Sequence, residues 1–280
     1  MKEITSDTDR APRNIVDPSI YDKDYFLKDN EGWREWERNI ETGLHPKFKR
    51  ALGLAGPLKG KNILDIGCGR AELVYYCVKR GARACGIDYS PAAIEIAART
   101  IERLPEALRP YAKAILGDIG TYDPPDKYDI VFMIEIAEHM HDWQLKEGFE
   151  KIDKILTPDG KLIIMTPNYL YEKILSPLKR ILNIPGNCIK WPMRILRGRY
   201  KPKSFKELAG KIFRVAMDRG ELNRKMHVNV TTRKTLKRLL SGFDVKIWCE
   251  DHSKNALSLL TGHWWGREII IIAAKKRVIS

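Results

Sequence analysis

From Lys61 to Asn168, short apolar runs alternate with stretches of helical period, and no other feature constrains the fold so tightly. The apolar runs are NILDIG (62–67), RACGID (83–88), YAKAILGD (111–118), KYDIVFMIE (127–135) and GKLIIMTP (160–167). Helical stretches at 71–80, 91–104 and about 143–156 lie between them. A helix at 232–241, a strand FDVKIWCE (243–250) and a last strand REIIIIAAKK (267–276) close the pattern. Strands that alternate with helices build a mostly parallel sheet covered on both faces, so the expected class is a doubly wound α/β fold. Such a sheet binds its ligand beyond the carboxyl ends of the strands, at the switch point. Upstream, residues 1–20 are polar and read as a loose arm. Residues 21–58, with Tyr21, Tyr25, Phe26, Trp33 and Trp36, read as helices over the cleft. The organisation is therefore an arm and capping helices at 1–58 and one ligand-binding domain at 59–280.

The sharpest motif is Ile63-Leu-Asp65-Ile-Gly67-Cys68-Gly69-Arg-Ala-Glu72, at the end of the first strand. Two glycines there let the backbone turn tightly and approach a ligand. The helix that follows offers free N–H groups and a positive dipole end. Asp88 ends the second strand, where a carboxylate can accept from both hydroxyls of a ribose. A nicotinamide dinucleotide site would show GxGxxG. Here the third glycine is Glu72, and Asp65 inside the strand is foreign to that fingerprint.

These residues resemble the class I S-adenosylmethionine (SAM)-dependent methyltransferases, whose first motif is a hydrophobic strand followed by D-x-G-x-G. The likeness continues through GIDYSPAAIEIA (86–97), LGDI (116–119), YDIVFMIEIAEHM (128–140) and ILTPDGKLIIMTPN (155–168). It implies a Rossmann-like seven-stranded sheet in the order 3-2-1-4-5-7-6, the seventh strand antiparallel. It also implies that SAM is the cofactor. Asp65, Gly67 and Gly69, with Cys68 between the glycines, then line its methionine part. Asp88 holds the ribose, Tyr89 flanks the adenine, Asp118 and Ile119 meet the adenine ring, and Glu135 faces the reacting centre.

A hydroxyl acceptor needs a base or a metal before it attacks a methyl group. Glu135-Ile-Ala-Glu138-His139 lies where the fourth strand gives way to a loop, and groups two carboxylates with an imidazole. That set suits Mg²⁺ or another divalent cation, with His227 as a fourth ligand. The motif is similar to that of ubiquinone-biosynthesis O-methyltransferases, and to that of small-RNA 3′-terminal 2′-O-methyltransferases. Two other readings stay open, His139 as a general base and Glu138-His139 as a structural loop signature. His141 reads as an exposed loop residue.

Charge is concentrated in one place. Residues 169–226 carry 15 Lys and Arg against four acids, and so hold +11 of the chain's +14. The segment reads as a helical insertion after the fifth strand. In YLYEKILSPLKRIL (169–182), Leu170, Ile174, Leu178, Ile181 and Leu182 share a face opposite Lys173, Lys179 and Arg180, and Pro177 breaks or kinks the helix. A substrate lid, an anionic membrane surface and a nucleic acid are the three roles such a segment can serve. RNA is the less favoured partner, because few aromatics stand in a stacking pattern. No apolar run approaches the roughly 20 residues of a membrane span, no secretory signal is seen, and five cysteines show no paired spacing. The expected location is cytoplasmic, peripheral to the inner face of the membrane. The expected activity is O-methylation of a small or lipid-linked hydroxyl acceptor. RNA 3′-terminal 2′-O-methylation, small-molecule N-methylation and a scaffold that keeps SAM only structurally are the alternatives.

Overall fold

The apolar runs form strands β1 (Asn62–Ile66), β2 (Arg83–Asp88), β3 (Ala112–Leu116), β4 (Tyr128–Ile134) and β5 (Leu156–Pro167). Two more, β6 (Phe243–Glu250) and β7 (Glu268–Lys275), complete a single sheet. This computed structural model describes residues 15–30, 32–41, 43–213, 226–250 and 266–276. Two pieces of the sequence reading, the arm at 1–14 and the end of the basic segment at 214–225, lie outside the described residues.

The strand order is β3-β2-β1-β4-β5-β7-β6. β1 runs parallel to β2 and β4, β2 to β3, and β4 to β5, while β7 is antiparallel to both β5 and β6. The doubly wound, seven-stranded arrangement expected from the sequence is the one observed.

Side chains alternate between the two faces of each strand, which splits the core in two. On one face Ile63, Phe132, Ile163 and Ile270 pack under helices α1 (Trp33–Asn39), α2 (Pro46–Ala55), α3 (Glu72–Val78) and α4 (Pro91–Glu102). On the other, Leu64, Val131, Met133 and Ile271 pack under α5 (Asp142–Ile155) and the helix at Arg233–Leu239. Caps set the helix starts. Ser90 Oγ accepts from Ala93 N–H at 3.2 Å before α4, and Thr232 Oγ1 accepts from Thr235 N–H at 3.3 Å before the Arg233 helix. His141 is half-buried and caps α5, its N–H donating to Gln144 Oε1 at 3.0 Å, so it is less exposed than the loop residue expected.

Upstream of the sheet, α1 packs against α4. Trp36 of α1 is buried, and its indole N–H donates to Thr100 Oγ1 of α4 at 2.9 Å. Arg103 lies over the same ring at 4.3 Å. Residues 169–213 behave differently. A π-turn at Tyr171–Leu175 leads into α6 (Ser176–Leu182), α7 (Ile184–Leu196) and α8 (Phe205–Phe213). Pro177 has no N–H, so the coil widens just before it, and Ser176 N–H reaches back five residues to Tyr171 O. None of residues 169–213 belongs to either core.

Candidate active site

All twelve residues singled out in the sequence reading line one cavity of about 980 Å³, at the carboxyl ends of β1, β2 and β4. Small-molecule sites span roughly 300–1,000 Å³. Of residues 169–213 only Glu172 reaches the cavity wall, so α6–α8 do not close over it.

The loop after β1 supplies the floor. Gly67 has φ +69° and Gly69 has φ +49°, backbone that side chains rarely adopt. A Cβ built on Gly67 would come within 2.1 Å of Ile136 Cδ1. Cys68, between them, is buried with its thiol against Gly86. Burial holds that thiol far above its usual range. Gly67→Ala is therefore expected to cost about 1–3 kcal/mol. Relieving the clash with Ile136→Ala should restore only part of it, since the backbone strain stays. Urea unfolding of the single and double variants checks this.

Two acids face this loop. Asp88 Oδ2 accepts from Gly69 N–H and Oδ1 from Ser90 N–H, both at 2.9 Å. An ionised carboxylate offers about four acceptor positions, so two remain for a ligand. Burial raises the Asp88 pKa, with the Ser90 and Gly69 N–H groups pulling the other way. Asp65 is 4% exposed, and no hydrogen bond or ion pair reaches its carboxylate from the described residues. Burial pushes its pKa well up, and Asp88 and Glu72 add to the effect. This floor calls for a ligand with hydroxyls and positive charge. The ribose, ammonium and sulfonium of SAM fit it.

The far wall carries Tyr89, Asp118 and Ile119. Tyr89 is half-buried beside Tyr21, ring centroids 5.5 Å apart. Asp118 Oδ1 accepts from Gly120 N–H at 2.7 Å, and Ile119 is buried.

At the end of β4 the E-x-x-E-H residues separate into two groups. Glu135 has φ +56°, and its carboxylate is ion-paired with Lys47 of α2. Burial pushes its pKa up, but Lys47, with His45 and Arg267 adding to it, holds it below the usual range. Glu138, His139 and His227 form the other group, one potential ligand atom of each lying within 4.8 Å of the others. Glu135 stands outside this trio.

Glu138 is 2% exposed, and Thr166 Oγ1 donates to its Oε2 at 2.9 Å. Burial, then the Glu135 charge, push its pKa up to about 8, so at neutral pH it carries a proton. His139 Nδ1 lies 3.0 Å from Met226 O, which can only accept, so that nitrogen holds the proton. Tyr21 Oη sits 2.9 Å from the same nitrogen. Nε2 is then the nitrogen with the lone pair. Burial, then His227, lower the His139 pKa to about 4, and burial lowers that of His227. His227 is brought in by Asn229, whose side chain donates to Met140 O at 3.0 Å and to Asp142 Oδ1 at 2.9 Å.

Sequence reasoning missed Lys47 and the latch made by Arg70. Lys47 had a signal, since positions 47, 51 and 55 lie one helical turn apart and 51 and 55 are apolar. Arg70 had none. Its guanidinium bonds Glu72 Oε2, Phe26 O and Asn30 Oδ1, and so ties the segment at 26–30 to the loop after β1.

The profile of a family described as methyltransferase domain matches residues 36–250. The mitochondrial ubiquinone biosynthesis O-methyltransferase of Schizosaccharomyces pombe is 27% identical over 155 residues, which is 53% of this chain and 55% of that one. Its counterpart in Coxiella burnetii (strain RSA 493 / Nine Mile phase I) is 33% identical over 118 residues, 42% of this chain and 48% of that one. The chain thus spans about half the length of the curated relatives it matches. Among solved structures, the magnesium protoporphyrin IX methyltransferase of Synechocystis PCC 6803 with bound S-adenosylhomocysteine (SAH) superposes with TM-score 0.53 at 15% identity, over 92% of this chain and 99% of that one. The glycopeptide N-methyltransferase MtfA with SAM superposes with TM-score 0.53 at 11% identity, over 84% and 89%. At such identities the structures speak for the fold alone. Fold, motif order and profile agree, and the chain belongs to the methyltransferase domain family, in its class I, SAM-dependent branch.

Proposed function

We propose that the chain methylates a hydroxyl group on a small or lipid-linked acceptor. The observation that carries this reading is the Glu138–His139–His227 trio in the wall of the cofactor cavity. SAM supplies an electrophilic methyl group on a sulfonium. The protein's part is to align an acceptor oxygen with it and to relieve that oxygen of its proton. Asp88 is the ribose holder in this reading, and Asp118 and Ile119 are the adenine contacts. Asp65 balances the cofactor's positive charge. Lys47 keeps Glu135 ionised beside the reacting centre. An amine acceptor needs less help with its proton, so a buried carboxyl set beside two half-buried imidazoles favours oxygen. The likeness to ubiquinone biosynthesis O-methyltransferases supports the same choice of atom. The test is methyl transfer from labelled SAM to a panel of phenols, prenylated phenols, small amines and RNA 3′ ends. Turnover on amines or RNA with none on phenols would overturn it.

A second reading assigns the trio a divalent ion. Proximity favours it, as does the Nδ1–H bond from His139 to Met226 O, since metal-binding imidazoles commonly anchor their second nitrogen in this way. Two imidazoles and one carboxylate suit Mn²⁺ or Zn²⁺ better than the Mg²⁺ that a four-residue set with Glu135 would take. Glu138→Ala and chelation should then each lower turnover at least about tenfold, and the two together no further. Turnover that survives both treatments removes the metal and leaves the base.

A further inference from the structure

Ten of the fifteen large hydrophobic side chains exposed among the described residues fall between 169 and 213. They are ordered rather than scattered. On α7, Ile189, Met193 and Leu196 repeat at i, i+4 and i+7, and are 69%, 40% and 81% exposed. Ile174, Leu178 and Ile181 repeat the spacing through α6 and the turn before it. A helix in a globular protein turns such a stripe inward. Here the stripes face out.

Charge flanks them. Residues 169–213 carry eleven Lys and Arg against two acids. One of the acids, Glu207, is already held by Tyr200 Oη and by Lys203 N–H. Beside the α7 stripe, Lys190, Arg194, Arg197 and Arg199 surround a hollow of about 230 Å³. Trp191 meets Tyr200 edge to face with ring centroids 5.1 Å apart, and Arg194 lies 5.3 Å from the indole. Tryptophan and tyrosine favour the level where lipid headgroups meet acyl chains. Asn187, buried, donates to Ile212 O at 3.0 Å and fixes α7 against α8, so the surface has a set shape.

We propose that α6–α8 dock on an anionic lipid bilayer, with the apolar stripes in the acyl boundary and a headgroup phosphate in the basic hollow of α7. The helices have 7, 13 and 9 residues, too few to cross a bilayer that takes about 20, so they lie in its surface. A nucleic acid would use the cations and leave the apolar stripes in water. The docking does not depend on which acceptor is methylated.

The experiment is co-sedimentation of the full chain with phosphatidylcholine vesicles, with and without about 30% phosphatidylglycerol. Binding should need the anionic lipid, with partition at least about 100-fold lower without it and falling as salt rises. The combined K190S, R194S, R197S and R199S variant should lose about 100-fold or more. The combined I189S, M193S and L196S variant should lose at least about tenfold. Both should keep their SAH affinity and melting temperature, since these residues touch neither core nor cavity. R194K with R197K should still bind, because the charge is kept. Equal binding to uncharged vesicles, undiminished binding by the four-serine variant, or tight binding of an RNA oligonucleotide with none to vesicles would overturn the proposal.

Discussion

Asp88→Ala is expected to weaken SAH and SAM binding about 100-fold or more. A charge-assisted hydrogen bond contributes roughly 1.5–3 kcal/mol, and each 1.4 kcal/mol is a factor of ten in Kd. Two acceptor positions on Asp88 remain after Gly69 and Ser90 have taken theirs. Loss of both toward a sugar gives the estimate. The same substitution strands the N–H groups of Gly69 and Ser90, so the melting temperature should also fall. Asp88→Asn separates the two effects. It keeps one accepting oxygen and no charge, and should cost about tenfold in affinity with less loss of stability. Calorimetry with SAH well below the melting temperature is the measurement. Unchanged affinity in the alanine variant would sink the ribose assignment.

Arg70→Ala should have the largest effect on stability. Arg70 is 3% exposed and Glu72 is 4% exposed, so the substitution leaves a carboxylate buried without its partner. Breaking such a pair costs about 3–5 kcal/mol. For a chain of this length the melting temperature should drop by about 10 °C. Burial already raises the Glu72 pKa, with Arg70 opposing, so loss of Arg70 drives it higher still. The double variant Arg70→Met with Glu72→Met removes both charges and should recover most of the stability. It should not recover SAH affinity in full, because Phe26 O and Asn30 also lose their partner. A double variant as unstable as the single would show that the latch to residues 26–30, rather than the buried charge, carries the cost.

The sheet was legible because a parallel strand buried on both faces is apolar at nearly every position. Val131, Phe132 and Met133 are all fully buried, and the run YDIVFMI announces itself. The start of β5 was not legible. The sequence reading ends a helix near 156 and starts the strand at Gly160. In the structure Leu156 already pairs with Tyr128 and Lys161 with Ile130, so four residues loop out of a strand that has begun. Composition signals the turn but not the pairing on either side of it.

That the residues assigned to the cofactor share one cavity was equally legible, because they come from strand ends within one local pattern. The reacting half was less so. Glu135 and Glu138 are three residues apart and looked like one ligand set. The left-handed backbone at Glu135 sends its carboxylate to Lys47, 88 positions away, and Glu138 joins His227 instead. Contacts over such separations depend on how α2 and the 226–231 loop sit on the sheet, and no local spacing encodes that.

The two cores are complete without residues 169–213. Folding therefore exerts almost no selection on what that excursion carries on its surface. A lineage with this chassis is free to exchange those stripes and charges while both cores stay as they are.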